Sequence, residues 1–377
     1  MKVKKLENSC YIVQNKENNK VLKLGEGEFK YLQALREKNG TLKSESAMTK
    51  EQQRYLFQKF EELGFLGDDT KKVKDKQNLS NVKLISFGFY EKLYKVLKIL
   101  GCFVSPAGFL LFLGALLGMG ISFFFYTDII MYGATHVTMD FKTIITLCIM
   151  VLATSVIHEV FHAVACYKYT GAIGGMGIKL FYLMPVFYTD VSTVYLMDNR
   201  KKMLEVSAAG LMCNVFLGGV SLITYIFMYL QGTYCKIFFY YFVFQFATIL
   251  RNILPFEKFD GYWMIVSISG IHNLYDKSII LFFAMLRDVK GYMAIPVNSL
   301  KKNMLSLYGG INLLFRWIFW LYCIGALNRF VQNYMPYRIS YIVVRILYVV
   351  IALNTIIFVR RYFIKYKTEG KRIIANL

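Results

Sequence analysis

Long apolar runs separated by short polar breaks fill most of the chain. They cover about residues 99–126, 144–168, 203–230, 236–256, 306–328 and 340–363. Crossing an apolar core of about 30 Å takes about 20 helical residues, so the pattern predicts about six transmembrane helices. Two further apolar stretches are too short or too broken for simple spans. Gly174–Tyr188 is rich in glycine and aromatics and contains Pro185, and Asp260–Ile271 begins with a carboxylate and a glycine. Irregular backbone at membrane depth survives only where protein or a water-filled cavity surrounds it. A functional site is therefore expected at these two stretches.

The first 83 residues follow a different pattern. Cys10–Val13 and Lys20–Leu24 read as two short strands around an Asn-rich turn. Glu28–Lys38 reads as a helix with Phe29, Leu32 and Leu35 on one face, ended by Asn39-Gly40. Lys50–Leu63 reads as a second helix with Leu56, Phe60 and Leu63 apolar, stopped by Gly64. Thr49 and Gln52 have the spacing of a capping box at its start. The expected organisation is a small soluble domain over residues 1–68, a polar linker over 69–83 and a membrane domain over 84–377, with its core at 144–271.

Composition agrees with this division. Of the 377 residues, 56% are hydrophobic and only 18% charged, against about 25% charged in ordinary soluble domains. That argues against a soluble enzyme, a disordered chain or a disulfide scaffold. The net charge of +21 would point to nucleic acid in a soluble protein. In a membrane protein it marks the cytoplasmic side and contact with anionic lipid, and no nucleic-acid partner is expected. Six spans put both termini on one side. The basic N-terminal segment, Arg200-Lys201-Lys202 and the tail from Arg360 to Arg372 place that side in the cytoplasm, although Arg329 and Arg338 fall opposite. The first 20 residues have no apolar core, so no cleaved signal peptide is expected. The seven cysteines form no C-x-x-C pair and read as small buried hydrophobes.

His158-Glu159-Val160-Phe161-His162 carries the sharpest chemistry. Histidines at i and i+4 share one helical face, and each can give an imidazole nitrogen to one Zn²⁺. Glu159 stands beside the first, placed to take a proton from zinc-bound water. An intramembrane carboxylate is costly and marks function by default. The plainer alternative is two core histidines hydrogen-bonded to neighbouring helices. Zinc needs a third protein ligand, and Ala163–Gly177 contains neither His nor carboxylate. Asp260, within Asn252-Ile-Leu-Pro255-Phe-Glu-Lys-Phe-Asp260-Gly261-Tyr262, is the best distant candidate, unless it serves as a helix N-cap. His136 and His272 read as bystanders.

Together, HEVFH and NILPFEKFDGYW resemble the site-2 protease family of intramembrane zinc metalloproteases. The order Gly171, GIKLFYLMPVFYTDVS to Asp190, Asn199-Arg200-Lys201 and Val206–Gly210 resembles its bacterial peptide-processing members. The likeness covers about Ile144 to Ile271. It implies one zinc held by His158, His162 and Asp260, with Glu159 as general base. Asn252 and Pro255 would shape the site, and Asn252 would either donate to the substrate carbonyl or cap a helix. Members of the family commonly have Gly-Pro where this chain has Gly210-Leu211. The stretch 174–190 would be a re-entrant hairpin pairing with an extended substrate, and Asp190 either an entrance carboxylate or a solvated end. The N-terminal domain resembles the winged-helix precursor-recognition domains of ribosomal-peptide pathways, which bind a leader peptide as an added strand. A generic or DNA-binding winged helix is the alternative.

The expected fold class is thus mostly α: a polytopic membrane protein with a re-entrant hairpin and a small α+β winged-helix domain. The leading expectation is a zinc endopeptidase in a bacterial cell membrane, maturing a small ribosomally made precursor peptide. A peptide-modifying enzyme or an ABC exporter would be further partners. The alternatives are regulated proteolysis of a transmembrane regulator such as an anti-sigma factor, or a non-catalytic zinc-containing subunit of a peptide exporter.

Overall fold

The computed structural model describes residues 2–5, 10–15, 21–36, 49–66, 81–87, 94–95, 101, 105–136, 138–181, 184–197, 199–271, 273–295, 298–332 and 337–375. The chain is mostly helical and divides into two compact units, Met1–Ile253 and Leu254–Leu377.

The first unit opens with three antiparallel strands in the order β1 (Lys2–Lys5), β2 (Cys10–Gln14) and β3 (Val21–Gly25). Alternation puts Val13 and Leu24 on the face covered by α1 (Glu26–Arg36) and α2 (Lys50–Glu62). Phe29, Leu32, Leu56, Phe60 and Phe65 complete that core. The capping box forms in full: Thr49 Oγ1 accepts from the Gln52 amide at 3.3 Å, and Gln52 Oε1 accepts from the Thr49 amide at 2.9 Å. β1 was not expected, because four residues of which three are lysine give too little alternation to read. Of the expected linker, residues 69–80 lie outside the described residues, and Asn81–Lys83 begin a strand, β4 (Asn81–Phe87).

The helices that follow begin where the sequence supplies caps. Ser105 accepts from Gly108 N at the start of α3 (Pro106–Phe125), whose first residue is proline. The short α4 (Thr127–Thr135) leads to α5 (Phe141–Thr170). Asp140 caps α5, and Gly171, at φ 68°, supplies the left-handed residue that ends it. A hairpin of β5 (Gly175–Phe181) and β6 (Met184–Asp190) comes next, and β4 pairs antiparallel with the other edge of β5. A short 3-10 turn, Ser192–Met197, then precedes α6 (Arg200–Leu230) and α7 (Lys236–Ile253).

The outward half of α5 presents Ile145, Ile149 and Leu152, whereas Phe161–Tyr167 are buried. Small residues set the packing there. Ala163, Ala165, Cys166, Ala209 and Cys213 share one core with Val194 and Val206, so α5 and α6 approach closely. Of the described cysteines, Cys166 and Cys213 are buried as expected. Cys148 is exposed instead, because it lies on the outward half of α5.

In the second unit, α8 (Asp260–Ser269) is followed by α9 (Leu274–Arg287), α10 (Val289–Met293), α11 (Ser299–Gln332) and α12 (Tyr337–Ala375). Asp276 on α9 accepts from Tyr362 Oη at 2.6 Å and Lys365 Nζ at 2.8 Å, which ties α9 to α12.

Among the described residues, four helices are long and apolar enough to cross a membrane: Ala107–Phe125, Phe141–Thr170, Arg200–Leu230 and Val344–Lys367. They expose many large apolar side chains, among them Phe109, Leu117, Phe124, Ile223, Phe227 and Ile357, as lipid-facing helices do. The runs expected at 236–256 and 306–328 are helical too. Lys236, Gln245, Arg251 and Asn252 dilute the first.

Candidate metal centre

His158 and His162 lie one turn apart on α5, at the point where that helix passes from outward-facing to buried. Their Nε2 atoms are 3.3 Å apart and their rings are crossed at 77°. The other nitrogens are both engaged. His162 Nδ1 lies 2.8 Å from the Val206 carbonyl oxygen, which can only accept, so Nδ1 carries the hydrogen. His158 Nδ1 lies 2.5 Å from Asn214 Oδ1 and donates there in the same way. Each ring therefore turns an Nε2 lone pair toward its partner.

Two facing lone pairs 3.3 Å apart repel unless a metal ion or a shared proton lies between them. A tetrahedral zinc with Zn–N of about 2.0–2.1 Å separates two ligand nitrogens by about 3.3–3.4 Å. The donor set and its spacing therefore fit zinc, with outer hydrogen bonds of the kind that fix ligand tautomers.

Gly210 on α6 lies against both rings. A Cβ there would come within 2.4 Å of His162 Nε2 and 2.5 Å of His158 Nε2. Glu159 is half-buried beside the pair, and its carbonyl accepts from Thr189 Oγ1 on β6 at 2.9 Å, so the hairpin is tied to the histidine turn. Asn252 is buried on α7, two turns after Gln245 and on the same face.

Asp260 belongs to the second unit. Phe259 holds the N-cap position of α8, so Asp260 is the first helical residue rather than the cap. Its negative charge suits the helix N-terminus. The Pro255 carbonyl just before it accepts from Tyr308 Oη at 2.5 Å. Asp190 closes the end of its hairpin: its Oδ1 accepts from the Ser192 amide at 3.1 Å and from the Ser192 hydroxyl, and the carboxylate packs on Gly174. His136 ends α4, stacked on Tyr132 with ring centroids 4.0 Å apart, and is a bystander by position. His272 lies outside the described residues.

Two residues at this centre were not singled out from sequence, Asn214 and Gln245; Gly210 was noted there only within a motif and for the leucine that follows it. Asn214 Nδ2 donates to Gln245 Oε1 at 2.9 Å, with both side chains buried. A signal for them existed. Ser207, Gly210, Asn214, Gly218 and Ser221 make a small and polar stripe at helical spacing in an otherwise apolar run.

No family model, no curated protein and no solved structure matches the chain.

Proposed function

We propose that the chain is a membrane-embedded zinc endopeptidase that hydrolyses a peptide bond in a small ribosomally made precursor peptide. The observation that carries the proposal is the His158–His162 pair, with both Nε2 lone pairs converging at 3.3 Å while both Nδ1 atoms are held elsewhere. His158, His162 and Asp260 would hold the zinc, two from α5 and one from the start of α8. Zinc held there supplies Lewis acidity, which acidifies water toward neutral pH and polarises a peptide carbonyl.

The chain's own residues do the rest. Glu159 takes the proton from the attacking water and returns it to the leaving amine, a role worth about 10²–10⁴-fold in rate. Asn252 donates to the substrate carbonyl as charge develops on its oxygen. Substrate must reach these groups extended, because a helix hides its carbonyls, and the β5–β6 hairpin tied to the histidine turn by Thr189 supports pairing with an extended segment.

The finer features of the reading belong to the same proposal. Six spans follow if α7 and α11 cross the bilayer with the four more apolar helices, and the positive-inside bias then places both termini in the cytoplasm. The three-stranded sheet with α1 and α2 supports a winged-helix module that captures the precursor's leader.

The test combines metal analysis with hydrolysis. Purified wild type should carry about one zinc per chain, lost in His158→Ala and in Asp260→Ala. Glu159→Gln should keep the zinc and lose cleavage of a co-expressed precursor peptide by about 10²–10⁴-fold. A folded wild type without zinc would overturn the reading. Zinc retained with cleavage unchanged in Glu159→Gln would remove Glu159 as the base, and zinc without cleavage of any peptide would favour a non-catalytic subunit.

A further inference from the structure

The polar chain behind His158 extends beyond its first partner. His158 Nδ1 donates to Asn214 Oδ1 at 2.5 Å, and Asn214 Nδ2 donates to Gln245 Oε1 at 2.9 Å. The three side chains come from α5, α6 and α7. Asn214 and Gln245 are almost wholly buried, with relative exposures of 2% and 0%. One turn before Gln245, Tyr241 Oη bonds Thr154 Oγ1 at 2.5 Å, and Thr154 lies one turn before His158. α7 is therefore held to α5 at one turn and to Asn214 at the next.

The direction of this chain decides what His158 can do. An amide has one acceptor end and one donor end. If Asn214 turned its NH₂ toward His158, the imidazole would have to accept at Nδ1 and carry its hydrogen on Nε2. The Nε2 lone pair would then be lost to the facing site. Gln245 opposes this, because its Oε1 accepts from the Asn214 NH₂. Gln245 Nε2 is buried without a hydrogen-bond partner, so the direction of the chain rests on the His158–Asn214 and Asn214–Gln245 bonds, which are costly to reverse in a buried setting.

We infer that Gln245 and Asn214 form an amide relay that fixes the His158 tautomer, with Nε2 as the ligand atom, so that a residue on α7 tunes metal affinity without touching the metal. Asn214 and Gln245 are positioning residues. The inference rests on the zinc reading of the His158–His162 pair and goes beyond it in assigning a task to α7.

The test is zinc affinity of the full-length protein in detergent or nanodiscs, by chelator competition, with the melting temperature of the metal-free form as a folding control. Asn214→Leu should weaken zinc by about 10–100-fold, the range for loss of an outer-shell partner. Gln245→Leu should weaken it too, at the lower end of that range. Asn214→Asp and Gln245→Glu keep an acceptor facing the same neighbour, and both should lose less zinc affinity than the corresponding leucine variants. Leucine variants that bind zinc like wild type would overturn the relay. So would acceptor-keeping variants that weaken as much as the leucines, which would leave only a packing role. If wild type itself takes up no zinc, the metal reading fails first and the relay falls with it.

Discussion

A Cβ built on Gly210 would lie 2.4 Å from His162 Nε2, closer than side-chain carbons approach nitrogen in real structures. The same atom would sit 2.5 Å from His158 Nε2 and Cε1. α6 therefore meets the histidine pair at a residue without a side chain, and the atoms it would strike include the two facing nitrogens. Gly210 is a point of close packing against the two imidazoles rather than a flexible point, since it lies mid-helix within α6.

Gly210→Ala should therefore cost metal before it costs fold. The added methyl must push the imidazoles apart or displace α6, and core overpacking costs about 1–3 kcal/mol. Zinc per chain should fall well below wild type, with the protein still inserted and monodisperse. Gly114→Ala on α3 is the control, because a Cβ there meets nothing within 4 Å. Zinc content unchanged in Gly210→Ala would show that the rings yield easily and that the site is looser than the geometry indicates.

Much of this was legible in the sequence, and the reasons are physical. His158, Glu159 and His162 stood out because ionisable groups are costly in an apolar run. The elements of the N-terminal segment were legible because Thr49, Gln52 and Gly64 mark ends chemically, and α1 and α2 fall within two residues of expectation where they are described. Other features were hidden. β4 pairs with β5 across about 90 residues of chain, and no local pattern announces such a partner. Asn214 and Gln245 act through a contact between two helices, so each alone reads as one amide in an apolar helix. Gly210 was legible as part of a motif, but its contact with the two imidazoles appears only once the facing helix is known. Amides and charges also dilute the apolar run of α7, which is helical but not among the four plainly membrane-like helices of the described residues.

The ends of α5 and α7 carry a second, electrostatic relationship with a defined pH response. Lys236 Nζ lies 2.6 Å from Asp140 Oδ2. The hydrogen bond from Lys236, then the Thr143 amide, holds the Asp140 carboxyl well below the usual carboxylate range. A carboxyl lowered in the folded state contributes stability above its unfolded value of about 3.9, and loses it as pH falls through the lowered folded value. Asp140→Asn keeps an N-cap oxygen for Thr143 while removing the charge. The melting temperature of wild type should exceed that of Asp140→Asn at pH 7, and the gap should close as pH drops below about 4. High salt should shrink the gap at neutral pH, since the pair is exposed. A gap that does not vary with pH or salt would assign Asp140 a capping role alone.

Within the second unit, Gly309 on α11 faces the backbone of α9. A Cβ there would fall 2.1 Å from the Ser278 carbonyl oxygen and 2.8 Å from Ile279 N. Backbone cannot swing aside as a flexible side chain can, so the two helix axes would have to separate. Ser278, Ile279, Ile280 and Leu281 are fully buried, which means that separation would open the core of this unit. Gly309→Ala should destabilise by at least the about 1–3 kcal/mol typical of overpacking, read as a lower melting temperature and reduced yield of inserted protein. Gly325→Ala lies on the same helix, where a Cβ meets nothing within 4 Å. Alanine there should be neutral or stabilising, because glycine in a helix costs about 0.5–1 kcal/mol relative to alanine. Equal melting temperatures for the two variants would show that α9 and α11 are not held at the spacing that Gly309 permits.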